Sequence, residues 1–225
     1  MGEHLGLIGG LGVGATVLYY EGIAAACAER GVVPRMTMAH ANAPTALALV
    51  TAGNIDGLAD YLASFTGELA AAGATFLAIP AITPHICRSQ LRRRVALPIL
   101  DILDVTAAAL GARGLKRIAL FGTRFTIEQD LFGALAAFDV VRPYDAEIAD
   151  IHRIYLELAQ QGRTSHANIE RIRDLARTMV ARDGVEAVVI AGTDFNLVLD
   201  ERTAGFPAVD CAAVHIRAIV ERLVG

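Results

Sequence analysis

LAIPAITPH, Leu77 to His85, and VVIAGTDF, Val188 to Phe195, are the two stretches on which the reading of the fold turns. Each is an apolar run that ends in a small residue and then Thr. An unbroken apolar run reads as a strand covered on both faces, because a strand with one wet face alternates apolar and polar residues. The same build recurs along the chain. HLGLIGG, RMTMAHA, TFLAIPA and ALPILDI are strand-like, and ATVLYYEGIAAACAER, NIDGLADYLASFTGELAAAG and HICRSQLRR between them space apolar residues for helices. A second series follows, with strands expected near RIALFG, FDVVRP, EAVVIAG and FPAVD. Its helices are expected near DVTAAALGARG, TIEQDLFGALAAF, HANIERIRDLARTMVARDG and CAAVHIRAIVERLVG. Strand and helix in alternation, with no dry–wet alternation inside the strands, predict an α/β protein: two doubly wound parallel-sheet domains in pseudo-symmetric tandem, with a boundary at 101/102.

Composition agrees with that size. A chain of 225 residues with 54% hydrophobic side chains can bury a large core or two smaller ones. The net charge of −4 is mild, and the densest basic cluster, Arg92 to Arg94, is too short to track a phosphate backbone, so nucleic acid is not an expected partner. The longest apolar stretches are strand-sized and broken by Gly or Pro, well short of the roughly 20 residues that span a bilayer. The opening MGEHLGLIGG enters a strand directly, with neither a basic region nor a cleavage site. No membrane partner and a cytoplasmic location are the expectations. The three cysteines, Cys27, Cys87 and Cys211, lack CxxC or His-paired spacing, so neither a disulfide framework nor a metal site is expected.

In open parallel sheets ligands bind beyond the carboxyl ends of the strands. The first such end is GGLGVGAT, Gly9 to Thr16. Gly10, Gly12 and Ala15 satisfy the G-x-G-x-x-G/A pattern of a dinucleotide fold, which keeps an NAD enzyme as an alternative. Against it, the second strand ends at Ala39 or His40 without the acidic residue that would hold a ribose hydroxyl, and no Lys-Ser/Thr follows for a P-loop.

Several of these pieces together resemble the aspartate/glutamate racemase family, most nearly its L-specific branch. The resemblance rests on LGLIGGLG with Tyr19 and Tyr20 after it, on Pro80, Thr83 and His85, on GTRFTIEQD from Gly122 to Asp130, on Gly192-Thr193-Asp194, and on VDCAAVHI. It covers essentially the whole chain. It implies an active site between the two domains, a closing helix 210–225 that joins domain 1–101 and leaves 102–209 as the second, no cofactor, a small carboxylate substrate and a homodimer. It also implies substrate-binding roles for Gly10, Leu11, Thr83, Thr123, Thr126 and Thr193. Thr83 and Thr193 read equally as helix caps.

The family removes an α-proton with two cysteines, one per half, acting as thiolate and thiol. In this sequence those positions are Ala81 and Gly192, and sliding the second motif by one would put Thr193 there instead. Neither alignment supplies a thiol. Family members that act on aspartate also carry an Arg after the second strand to grip the distal carboxylate, and here that position is Ala46. A roomier and more apolar pocket follows. The groups left to move protons are Asp101, His40, His85 and Asp194, all near strand ends; His titrates near neutrality, and Asp101 reads as either a base or a helix cap. Three readings stay open: an enzyme with altered chemistry, a silent carboxylate-binding homologue, and a racemase whose cysteines have been replaced.

Overall fold

The structure, a computed structural model, describes residues 2–225; Met1 lies outside them. It divides into two compact units: the chain up to Ile102 together with His215–Gly225, and Leu103–Val214.

The first unit runs β1 (Leu5–Gly9), α1 (Val13–Glu29), β2 (Met36–His40), α2 (Ala43–Thr51), α3 (Ile55–Ala63), α4 (Thr66–Ala71) and β3 (Phe76–Ala78). A 3-10 turn (Thr83–Cys87) and α5 (Arg88–Arg94) follow. The strands are parallel in the order β2-β1-β3. ALPILDI forms no full strand but a single bridge, Leu77 to Ile99, flanked by hydrogen bonds from Leu77 N–H to the Pro98 carbonyl and from Leu100 N–H to the Leu77 carbonyl. Pro98 has no N–H to extend that ladder. Every residue of β1 is buried, as a central strand covered on both faces requires. On α1, Ala15, Thr16, Tyr19, Ile23 and Cys27 form the buried stripe, at the three- to four-residue spacing of a helix face.

The second unit contains α6 (Ile102–Ala112), β4 (Arg117–Gly122), α7 (Arg124–Glu128), β5 (Asp139–Val141), α8 (Asp145–Gln161), α9 (His166–Asp183), β6 (Ala187–Ala191), a 3-10 turn (Thr193–Leu197), β7 (Ala208–Asp210) and the first turn of α10 (Cys211–Val224), which from His215 on belongs to the first unit. Its sheet is also parallel, in the order β5-β4-β6-β7. Two helices differ from the sequence-based expectation. The helix expected over TIEQDLFGALAAF stops at Glu128, because Asp130, Leu131, Phe132 and Gly133 all take left-handed backbone with φ of 48–76°, which a right-handed helix cannot contain. That turn carries Leu131 and Leu135 into the core, and Arg142 steadies it by donating to the Asp130 carboxylate and the Glu128 carbonyl. Conversely, α8 covers a segment to which the sequence reading assigns no element; Ile148, Ile151, Ile154 and Leu158 form its buried stripe.

The two units repeat one plan. Leu77 and Val188 each donate at 2.9 Å to a proline carbonyl, of Pro98 and Pro207 respectively. From that shared point, Ala81 corresponds to Gly192, His85 to Asn196, and Asp101 to Asp210. In each sheet the chain order reverses beside the first strand, between β1 and β3 and between β4 and β6. Such switch points open crevices at the carboxyl ends of the strands.

Candidate functional site

In the first unit, the turn after β1 passes through Gly10 at φ +84°, its N–H donating to Thr16 Oγ1 at 3.0 Å. Thr16 in turn donates to the Gly12 carbonyl at 2.8 Å, so the Gly-rich turn is tied to the start of α1. Exposed His40, at the end of β2, lies over this turn: a β-carbon on Gly10 would stand 2.9 Å from its ring. Leu11 is partly buried beside it.

After β3 the chain turns at Ala81, which is 7% exposed, and half-buried Thr83 begins the 3-10 turn. Buried His85 donates from Nδ1 to the Ala81 carbonyl at 2.8 Å, which fixes the ring and turns Nε2 toward Asp101, 3.7 Å away. Burial pushes the imidazole below its usual range, and the Asp101 carboxylate pulls the other way. Asp101 is itself buried and accepts from Arg92 Nη2 at 2.8 Å. The Arg cluster is thus spent on carboxylates: Arg92 on Asp101, and Arg94 on Asp56 and Asp60. Beneath these groups, Tyr19 donates to His215 Nδ1 at 3.0 Å, and His215 Nε2 donates to the Leu100 carbonyl at 2.9 Å. Burial pushes His215 down to about 3, so it is neutral and acts as a fixed strut.

In the second unit, Thr123 follows β4 and caps α7, its hydroxyl accepting from Thr126 N–H at 3.1 Å. Thr126 is fully buried, with its own hydroxyl 2.9 Å from that of Thr123. Beyond β6 come Gly192, buried Thr193 and buried Asp194. Sequence reasoning missed what meets them. The Tyr155 hydroxyl on α8 donates to Asp194 Oδ2 at 3.1 Å, and the Tyr155 ring fills the space beside Gly192, where a β-carbon would come within 2.5 Å of it. Phe195 packs on the ring at 5.2 Å. One turn earlier on α8, His152 Nδ1 accepts from Arg124 N–H at 3.2 Å, and burial holds this imidazole low. The available signal was the helical spacing of α8, which puts His152 and Tyr155 three residues apart on adjoining positions of one face.

The structure therefore brings His85 and Asp101 together in one unit, and Thr193 and Asp194 with Tyr155 in the other. None of the surviving thiols is reactive in kind. All three are buried; Cys87 donates to the Pro84 carbonyl, and burial pushes Cys87 and Cys211 up to about 12, so neither is a thiolate near neutrality.

Asp210, the counterpart of Asp101, is buried, accepts from Asn196 and caps α10 through Ala213 N–H at 3.0 Å. Burial raises it to about 6. The folded chain thus holds this proton more tightly than the unfolded one. The stability it contributes is complete below about pH 4 and drains away up to about pH 6, a loss on the order of 3 kcal/mol. Asp210→Asn keeps an acceptor for Ala213 and should flatten that fall. Urea unfolding at pH 4.5 and pH 7 checks it; equal pH dependence in both proteins would contradict it.

Two parallel α/β units of one plan, each with polar groups gathered at the switch-point strand ends, define a two-unit parallel α/β protein of the kind in which ligands bind at those ends. The chain belongs to the Asp/Glu/Hydantoin racemase family, whose model matches residues 8–219. Among solved structures it is similar to a Yersinia pestis protein of the Asp/Glu racemase type, at 25% identity over 99% of this chain and 100% of that one, with a TM-score of 0.87. It shares its fold with an aspartate racemase homologue from Pyrococcus horikoshii OT3, at 24% identity over 99% and 100% of the two chains and a TM-score of 0.82. A more distant likeness in fold, at 14% identity over 99% and 93% and a TM-score of 0.53, is to unliganded arylmalonate decarboxylase. Among the described residues, no helix is long and apolar enough to cross a membrane.

Proposed function

We propose that this chain is an enzyme of the racemase superfamily that acts without a cofactor on a small carboxylic or amino acid. The reaction is proton transfer at the carbon beside the carboxylate, or the related decarboxylation, elimination or cyclisation. Ala81 and Gly192 stand in the places of the family's two cysteines, so two-thiol racemisation does not operate. The observation that carries this reading is the gathering of proton-handling groups at both of those strand ends: buried His85 with buried Asp101 beyond Ala81, and half-buried Tyr155 with buried Asp194 beyond Gly192. Unpurposed burial of two carboxylates would be costly, and such pairs concentrate at functional sites.

In this reading His85, Asp101, Asp194 and the exposed His40 handle protons. Gly10, Leu11, Thr83, Thr123 and Thr193 hold the acid, while Thr126 acts by fixing Thr123. The fit of Tyr155 against Gly192 speaks against a racemase that has merely had a cysteine exchanged, because no β-carbon fits there while the ring is in place. The fold shared with arylmalonate decarboxylase supports decarboxylation as one candidate chemistry.

The test is incubation in heavy water with aspartate, glutamate, malonate or phenylmalonate, followed by mass spectrometry. No deuterium should enter the α-carbon of aspartate or glutamate, while a malonate-type acid should be deuterated or lose carbon dioxide. Deuteration of the two amino acids at the rate of a thiol-bearing relative would refute this. Binding of the acids without reaction of any would mark a silent carboxylate-binding protein.

A further inference from the structure

Gly192 has extended backbone, φ −142° and ψ 108°, which any residue adopts. Glycine is required there by its neighbour alone. An ideal β-carbon at 192 would lie 2.5 Å from Tyr155 Cε2, 2.8 Å from Cδ2 and 3.2 Å from Phe195 Cδ2. The space a side chain at 192 would enter is occupied by the phenol ring of α8, and the ring carries its own acidic group.

Three features give that group a direction. The hydroxyl donates to Asp194 Oδ2 at 3.1 Å, so the phenol holds the proton and the carboxylate accepts. Asp194 is 3% exposed whereas Tyr155 is only half-buried, so of the two residues the tyrosine lies nearer the surface. The ring is also held from two sides, by Phe195 at 5.2 Å and by α8 itself, which is pinned to the start of α7 through His152 and Arg124 N–H. Burial, reinforced by the Asp194 charge, keeps the phenol protonated well above its ordinary range, which suits a group that passes a proton on without lingering as phenolate.

We propose that Tyr155 is the catalytic residue at the β6 end, relaying the α-proton of a small carboxylic acid to Asp194 from the place a thiol side chain would otherwise occupy. This rests on the functional reading above. In the step, the substrate C–H bond breaks and its proton goes to Tyr155 Oη as the Tyr155 proton passes to Asp194 Oδ2. The electron pair stays on the substrate carbon, Asp194 becomes the carboxylic acid, and Tyr155 ends neutral. The reverse sequence returns a proton to the carbanion. Asp194 acts as the base through the phenol and need not touch the substrate.

The test uses whichever of malonate, phenylmalonate, aspartate and glutamate the unaltered protein deuterates fastest. Tyr155→Phe keeps the ring and should slow exchange by about 100-fold or more, the usual share of a positioned acid–base group. Its affinity for the acid by calorimetry should stay within about threefold, since binding and chemistry separate when only the proton path is cut. Asp194→Asn should slow exchange comparably, and the double variant little further, because the two act as one unit. Should the Phe variant unfold, 3,5-difluorotyrosine at 155, close in shape but more acidic, should change the rate without changing the melting temperature. Exchange by Tyr155→Phe within about threefold of the unaltered rate, or affinity lost in step with rate, would overturn the relay and leave the functional reading standing. Decarboxylation of an acid with no α-proton exchange into any of the four would likewise overturn the relay and leave the functional reading standing, whereas failure of the unaltered protein either to deuterate or to decarboxylate any of them removes the functional reading itself and the relay with it.

Discussion

Gly10→Ala is expected to cost on the order of 4 kcal/mol, combining a left-handed backbone penalty with overpacking. Gly10 sits at φ +84°, where a side chain is strained whatever the space around it. An added β-carbon would also stand 2.3 Å from the Ala41 carbonyl oxygen and 2.9 Å from the His40 ring. His40 can swing away, but Ala41 cannot: its N–H donates to the Gly9 carbonyl at 2.8 Å and so continues the β1–β2 ladder. Relief therefore means prising apart the carboxyl ends of two strands. Against a typical total stability of about 5–15 kcal/mol, such a loss is a large fraction of the whole. Urea unfolding measures it, and a change under about 1 kcal/mol would show that the turn opens more easily than its geometry implies.

Gly122→Ala is the corresponding experiment in the second unit. Here the backbone is ordinary and the problem is proximity, with a β-carbon placed 2.4 Å from the Ala191 carbonyl oxygen and 3.0 Å from its carbon. Gly122 and Ala191 are register partners at the ends of β4 and β6. Main chain must move against main chain, for a cost of about 2–3 kcal/mol at the upper end of overpacking effects. The displaced residues would be Gly192, Thr193 and Asp194, so binding of a small acid should weaken by more than the stability loss alone explains. Calorimetric titration with malonate beside a urea melt separates the two effects. Unchanged affinity in a destabilised variant would show that the β6 end does not hold the acid.

The parallel sheets were legible because LAIPAITPH and VVIAGTDF open on strand-length apolar runs with no polar alternation, the pattern of strands covered on both faces. Asp101, His85 and Asp194 were legible as candidates from their place after such runs. Their partners were not. Arg92 reads as one member of a solvated basic helix, and nothing local says that it reaches a buried carboxylate. Tyr155 lies far from Gly192 in sequence, and their meeting depends on how α8 lies along the ends of β4 and β6. The glycine itself was the one local trace of that meeting, and a glycine at a strand end equally suits a tight turn. The failed expectation after Glu128 has a different cause. Leu131 and Leu135 have helical spacing whether or not the backbone is helical, so periodicity cannot distinguish a helix from a left-handed turn that buries the same side chains.

The first unit is assembled from both ends of the chain, since α10 contributes His215 and everything after it, including buried Ile219 and Val220. During synthesis the N-terminal strands therefore emerge long before the last helix that covers them. Leu103–Val214, being continuous, can complete its own core first, against the usual order in which the amino-terminal part of a protein matures earliest. Until the residues from His215 onward have been made, Tyr19 lacks the imidazole that receives its hydroxyl, and a nascent chain stalled before them would carry one finished half and one waiting half.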